Sequence, residues 1–352
     1  MGLDPLDVEF VDAATVEQTL AAAGIDPPIE QTAAWAAVDA MDPDRRTWGH
    51  CLVRRSGEPV AVLTLTELVT HRMRFLWARH APVWLTTPTA QDEAELVELL
   101  AAELHAKEPG AVHLRLDLLS RPEGTYPPTG IIAYDHTVVI DTSLPGDPAT
   151  TSEEEATDAV LSRFKSRGRR DVRKAVRESG LEWADETEAG ASDFDEYHAL
   201  MVDTAERDGF VPWASEMYRD MIAGLGPDHC RLYTGRVDGA LQCWSIVTVS
   251  GRLAARYYAA SATSAMHRRA SDRLVLFECV DLARRGITRY DLMGIGSEAV
   301  PELNGLNEFK TKFSKEVVEV ASARERPLRP LAYRAYVELR SVASTLRGRD
   351  RS

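Results

Sequence analysis

One layout occurs twice in this chain, and it constrains the fold more than any other feature. From His50 to Thr64 an apolar run meets a turn at Ser56-Gly57 and passes into a second apolar run. From His229 to Cys243 the same order returns, 179 positions later counting between cysteines (230 − 51). Each copy then continues into a third strand, an amphipathic helix and a fourth strand. Two copies of one α/β module are therefore expected, with a cleft between them, the usual place for a substrate.

Length agrees: 352 residues is about two domains at roughly 150 residues each. The formal net charge is −14, so any anionic partner has to be held by a local basic patch. The four cysteines, Cys51, Cys230, Cys243 and Cys279, lie in apolar segments without a CxxC pair and read as buried thiols rather than redox or metal sites. The acidic start, Met1 to Asp7, does not read as a secretion signal, and no apolar run approaches the ~20 residues of a membrane span. These features predict a cytoplasmic enzyme, expected to be a monomer, with peripheral contact at the inner membrane face left open.

Along the chain, the pattern predicts helices at Val16–Ala23 and Ala33–Met41, the hairpin Cys51–Val53 with Val60–Thr64, and strand pieces at Arg74–Ala78 and Val83–Leu85. Gln91–Lys107 reads as a helix, with Leu96, Leu100 and Leu104 on its apolar side, and Val112–Asp117 as a strand. The small, polar segment after Pro145 suggests a boundary: a first domain of 1–149 plus 318–348, and a second of 150–317. The second is expected to hold helices at Glu154–Ser179, Asp193–Arg207 and Ser215–Ala223, strands at Cys230–Arg236, Ala240–Val249 and Arg252–Ala260, a helix at Asp272–Arg285 and a strand at Tyr290–Met293. A last helix, Leu331–Leu346, is expected to pack back on the first module.

Two segments carry candidate chemistry. Arg163, Arg167, Arg170, Lys174 and Arg177 recur at spacings of three and four, which places their charges on one helical face. That face is either solvated surface or a docking site for phosphates such as those of transfer RNA, whose binding weakens steeply with salt. The second follows the last strand: Tyr290-Asp291-Leu292-Met293-Gly294-Ile295-Gly296, then Gly305-Leu306-Asn307-Glu308-Phe309-Lys310-Thr311-Lys312-Phe313. Glycines after a strand let backbone approach a ligand, and Lys310 and Lys312 set two cations among aromatic rings; the alternative is a surface strand with alternating lysines. No G-x-S-x-G elbow, Walker lysine loop or HExxH is present, and the histidines lack ligand spacing. Positioning and charge stabilisation are thus favoured over covalent or metal chemistry.

The order of hairpin, helix and strand resembles an N-acyltransferase (GNAT) unit. That superfamily holds the coenzyme A pyrophosphate on a R/Q-x-x-G-x-G/A loop at a helix start. Here the matching stretch is Arg268-Arg269-Ala270-Ser271-Asp272-Arg273, with Ser271 and Arg273 at the small positions and Asp272 repelling phosphate. Thr89-Ala90-Gln91-Asp92-Glu93 fits less well still. Coenzyme A use is disfavoured, and no cofactor is expected.

Tandem GNAT-like modules without that loop, joined to a basic helix and a closing G-L-x-x-F-K, resemble the Fem family of tRNA-dependent peptidyltransferases (FemA, FemB, FemX). The likeness runs over nearly the whole chain. It is clearest in Arg169–Gly180, Thr204–Phe210, Tyr258–Ser261, Tyr290–Gly294 and Gly305–Lys310. No space for a coiled-coil arm exists within the second module, so the chain is most similar to the short FemX type. The resemblance implies transfer of an amino acid from aminoacyl-tRNA to the side-chain amine of a peptidoglycan stem peptide, carried by UDP-MurNAc-pentapeptide or lipid II. It matches Phe309 and Lys310 to the catalytic pair, Asp117 to an acidic group that orients the amine, and Tyr258 or Tyr257 to a tyrosine lining the acceptor pocket. Arg207, Trp213, Tyr218 and Lys312 complete the expected substrate contacts.

Two positions depart from the family pattern. Asp39 stands where Q-S-x-x-W-x-x-x-K has its lysine, and Trp213 where an arginine opens R-x-x-x-Y, though Tyr218 follows. Two phosphate contacts thus become an acid and an indole, which opens the question of a non-cell-wall amine as acceptor. Other readings of the same fold are a coenzyme A-dependent N-acyltransferase of a small amine, and a non-catalytic tandem module that only binds.

Overall fold

The structure is a computed structural model and describes residues 4–70 and 72–349. Two compact units emerge, one formed by 1–135 with 320–352 and the other by 136–319. The first opens on β1 (Leu6–Val11), α1 (Ala13–Ala23) and α2 (Ala33–Asp39). Asp12 caps α1 by accepting from the Thr15 N–H, and Gly24, at φ +67, closes it in the left-handed conformation that glycine adopts freely. Then come β2 (Arg45–Arg55), β3 (Glu58–Thr70), β4 (Met73–Ala78), β5 (Val83–Trp84), α3 (Ala90–Lys107) and β6 (Ala111–Leu118). A Thr89/Asp92 capping box starts α3. β4 and β6 are parallel with α3 as their crossover, whereas the β2–β3 hairpin is antiparallel. Leu52, Leu63, Leu76, Leu96 and Leu114 form the centre of this core.

The second unit begins with β7 (His136–Asp141), α4 (Glu153–Arg163) and α5 (Ser166–Glu178), followed by β8 (Glu182–Asp185), α6 (Thr187–Ser192), α7 (Asp195–Asp208) and α8 (Ser215–His229). β9 (Cys230–Val237), β10 (Ala240–Ser250), β11 (Leu253–Ser261), α9 (Ala270–Arg284), β12 (Arg289–Gly294), α10 (Asn304–Lys310) and β13 (Val318–Glu319) complete it. Its sheet runs β13-β7-β12-β11-β10-β9-β8. The chain then returns to the first unit as β14 (Ser322–Pro327) and α11 (Pro330–Arg349), and the first sheet runs β1-β2-β3-β4-β6-β14, with β5 beside β3. Tyr333 and Tyr336 of α11 bury themselves against Val112.

The duplication is visible strand by strand. β1 to β4 and β6 correspond to β8 to β11 and β12, and in each sheet an antiparallel strand flanks the last member. The hairpin turns are Ser56-Gly57 (φ +52, +85) and Asp238-Gly239 (φ +49, +79), two-residue turns with both residues left-handed, as right-twisted hairpins favour. They lie 182 positions apart (238 − 56), so the structural repeat runs three residues beyond the spacing of the cysteines.

Several expectations need correction. The boundary falls before β7, not after 149, because His136–Asp141 pairs with β12. The helix expected over Glu154–Ser179 is two helices. Phe164 and Lys165 are extended between them because the Phe164 ring is buried edge-on against Phe313 (5.3 Å) and the Lys165 N–H donates to Lys312 O (3.1 Å). Gly305–Lys310 falls in a short helix, which removes the alternative of a surface strand. All four cysteines are buried and free, and burial pushes the thiols of Cys51, Cys230 and Cys243 up to about 12. No helix among the described residues is long and apolar enough to cross a membrane.

Candidate active site

In the second unit the parallel ladder of β11 and β12 is short. It pairs Leu253 to Ala255 with Arg289 to Asp291 and stops. Beyond it β11 keeps its partner β10 and β12 keeps β7, but the two no longer pair with each other. Each strand is distorted there. β11 bulges at Tyr257, between Arg256 opposite Val247 and Tyr258 opposite Ile246. β12 shifts register against β7 between Asp291 and Gly294, and Met293 takes φ +64. Bulges re-aim side chains and free backbone groups from the ladder.

Lys310 uses those freed groups. It ends α10, and its ammonium donates to the carbonyls of Met293 (3.1 Å) and Gly294 (2.8 Å). Asn307, one turn earlier, holds Gly296 from both sides: the Gly296 N–H donates to Oδ1 (2.8 Å) and Nδ2 donates to Gly296 O (3.0 Å). A Cβ on Gly296 would stand 2.4 Å from the Asn304 nitrogen, so glycine is required for this docking. Burial, and then the nearby charge of Arg256, pushes the Lys310 pKa down to about 8 against the opposing pull of Asp291.

Phe309 packs edge-on against Phe313 (5.2 Å). Lys312, expected to touch substrate, turns inward: it is 8% exposed, its ammonium pairs with Asp272 in the first turn of α9, and it lies 4.8 Å from the Phe309 ring centre. The start of α9, where a GNAT loop would hold pyrophosphate, thus carries an internal carboxylate. α5 docks onto the turn that carries Lys312: a Cβ on Gly168 would meet Lys312 O at 2.2 Å, so only glycine allows this approach.

The remaining expected residues of this unit form a second group. Tyr257 and Tyr258 lie 5.3 Å apart, and Tyr258 meets Tyr218 edge-on at 5.0 Å. Tyr218 is buried, and its hydroxyl accepts from the Trp213 N–H (3.2 Å); it supports Tyr258 rather than facing solvent. Trp213 is exposed. Arg207 donates to Ser261 O at the end of β11 (2.8 Å) and to Asp208 (2.9 Å).

The basic face is divided. Arg163 lies on α4, not α5, and pairs with Asp141. Arg167 pairs with Glu308, next in sequence to Phe309 and Lys310. Arg170, Lys174 and Arg177 are exposed on α5, with Arg170 3.5 Å from the buried Asp171. Asp117 belongs to the first unit. It is buried in β6, its Oδ2 3.4 Å from His80 Nδ1, while His80 Nε2 lies 3.6 Å from Glu30. Asp117 Oδ1 has no hydrogen-bond partner among the described residues. Asp39 is buried as well, accepting from the Thr66 hydroxyl (3.1 Å) and 3.7 Å from both Arg45 and Arg79. Sequence reasoning missed Arg256 and His80; a lone arginine before two tyrosines in an apolar strand was the one available signal for the former.

Residues 162–311, under half of the chain, match the acetyltransferase (GNAT) domain family. No curated protein sequence matches the chain. Among solved structures, the crystal structure of FemX is similar with a TM-score of 0.69 at 14% identity, over 94% of this chain and 99% of that one. A tandem GNAT protein from the clavulanic acid biosynthesis pathway is similar at 0.52, with 15% identity over 92% of this chain and 98% of that one. L-PGS from Bacillus licheniformis is similar at 0.50, with 11% identity over 94% of this chain and 98% of that one. At such identities the likeness is one of fold. It bears out a tandem GNAT architecture, and with it the expected resemblance to FemX in fold.

Proposed function

We propose that this chain of tandem GNAT fold, similar in fold to FemX, is an aminoacyltransferase that moves an amino acid from aminoacyl-tRNA to the side-chain amine of a peptidoglycan precursor stem peptide. The observation that carries the reading is the Lys310 ammonium, held by two carbonyls where β11 and β12 part. The reaction is aminolysis of an ester. The amine nitrogen forms a bond to the ester carbonyl carbon, an oxyanion develops on the carbonyl oxygen, and the C–O bond to the ribose breaks. One proton leaves the amine and one ends on the ribose oxygen. A positioned ammonium lowers the energy of that charge, and one with a pKa near 8 also suits proton delivery to the departing oxygen.

Phe309, next to Lys310, packs edge-on against Phe313. Tyr257 and Tyr258 stand on the β11 side of the same opening and suit the acceptor, while the exposed cations of α5 suit RNA phosphates. The first turn of α9 argues against coenzyme A, since it carries the buried Asp272–Lys312 ion pair rather than the small residues that let a diphosphate approach the helix start. The deciding experiment incubates purified protein with charged tRNA and either UDP-MurNAc-pentapeptide or lipid II, followed by mass spectrometry. One added residue on an acceptor is expected; acetyl transfer from acetyl-CoA in its place would overturn the reading.

A further inference from the structure

A second cation stands at the β11–β12 opening, and the transfer reaction as derived leaves it unused. Arg256 directly follows Ala255, the last β11 residue paired with β12. Its side chain is 10% exposed. Nε lies 3.3 and 3.2 Å from the two carboxylate oxygens of Glu278, which is wholly buried on α9. Glu278 also accepts from the Tyr290 hydroxyl (2.6 Å) and the Ser245 hydroxyl. This buried carboxylate is therefore fully engaged, and it grips the guanidinium by one edge only.

A guanidinium has five N–H donors. Among the described residues, the terminal nitrogens of Arg256 make no hydrogen bond; every bond it forms runs from Nε to Glu278. Those nitrogens are not among the buried polar atoms that lack a partner, so solvent, or an anion in its place, reaches the free edge of the fork. A like charge stands nearby, because the Arg256 guanidinium disfavours the Lys310 ammonium. Asp291, the acid that attracts Lys310, already accepts from the Thr137 hydroxyl and from the Met293 N–H (2.7 Å). A rigid fork fixed from behind, beside a second cation at the end of a parallel ladder, is an arrangement that an oxyanion completes.

We propose that Arg256 and Lys310 together form an anion subsite for a group of the carboxylate or phosphate class, with Glu278 as the residue that positions the Arg256 fork. It rests on the transferase reading only in naming the oxyanion of aminolysis as a transient occupant; anion binding itself does not.

The chain has six lysines, so the Lys310 signal in protein labelled with 13Cε-lysine is assigned by comparison with Lys310→Arg. Titration of the full chain with inorganic phosphate, and separately with acetate, is expected to shift that signal saturably, and the tighter of the two identifies the class. Two variants test the arginine. Arg256→Lys keeps the charge opposite Glu278 but removes the fork. The double variant Arg256→Gln/Glu278→Gln removes both charges, so that neither is stranded. Both are expected to weaken the tighter anion at least tenfold, and the double variant to raise the Lys310 pKa. The absence of a saturable shift in the unaltered protein, or undiminished affinity in either variant, overturns the subsite. Phosphate or acetate binding that persists without aminoacyl transfer to any acceptor overturns the transferase reading and leaves the subsite standing.

Discussion

Two lysines two positions apart have opposite environments, and this difference is testable. Lys310 is half-buried, hydrogen-bonded to carbonyls, and titrates near 8. Lys312 is buried against Asp272. Lys310→Ala is expected to slow transfer at least ~100-fold with little loss of stability, the scale of a lost oxyanion donor, as read from kcat/KM and a thermal melt. If the ammonium is the working form, the rate falls as pH rises through about 8, and Lys310→Arg moves that limb to higher pH. A pH–rate profile without a limb near 8 would remove the ammonium from the mechanism. Lys312→Met is expected to do the reverse. It strands Asp272, costs roughly 3–5 kcal/mol in a denaturant titration, and leaves KM for the acceptor unchanged in the protein that folds. Both lysines were equally visible in the sequence; their separate fates follow from which way the turn after α10 directs each side chain.

At the scale of an element, α5 carries most of the cations and rests on Gly168. Gly168→Ala places a methyl 2.2 Å from Lys312 O, and since that atom is backbone, the helix or the turn has to move. A loss of about 1–3 kcal/mol is expected from overpacking, together with lower activity because the displaced turn also carries Lys310. Parallel melts and kinetics would show whether the two losses travel together. For RNA, Arg170→Glu with Lys174→Glu is expected to raise the KM for tRNA and to flatten its salt dependence, whereas Arg163→Glu leaves both unchanged, because Arg163 lies on α4 and already faces Asp141. An equal effect of all three would mean that the face acts as a diffuse field rather than a docking site. The regular spacing of basic residues predicted one helix across this region; a spacing rule contains no term for the burial of Phe164, which breaks it.

The whole molecule exchanges segments along its length: β7 follows the first unit yet completes the second sheet, and β14 follows the second yet completes the first. Glu325 anchors the returning strand. It is fully buried, pairs with Arg115 and accepts from the Tyr333 hydroxyl (2.8 Å) and the Thr129 N–H (3.2 Å). Despite burial, the His113 and Arg115 side chains beside it hold its carboxyl down at about 2. Burial also lowers the His113 pKa from its ordinary 6.5. Both groups favour the folded state in their deprotonated forms. Their stabilisation is complete above about pH 6.5, declines first as His113 has to be protonated, and declines further from the ordinary Glu range near 4.5 down to about 2. Glu325→Gln is expected to lower stability by roughly 3–5 kcal/mol at neutral pH, since Arg115 is left buried and unpaired, and to flatten the acid limb; urea titrations from pH 3 to 8 measure both. What the sequence by itself determined is local or periodic: the duplicated order, the left-handed hairpin turns, the capped amphipathic helices, and a Lys310 segment set apart by its glycines. Tertiary structure alone decided which sheet β7 and β14 join, where the β11–β12 ladder stops, and that the Lys310 ammonium is held by the Met293 and Gly294 carbonyls just past its end. Those outcomes turn on pairing and burial between residues distant in the chain, whose energies no neighbouring residue encodes.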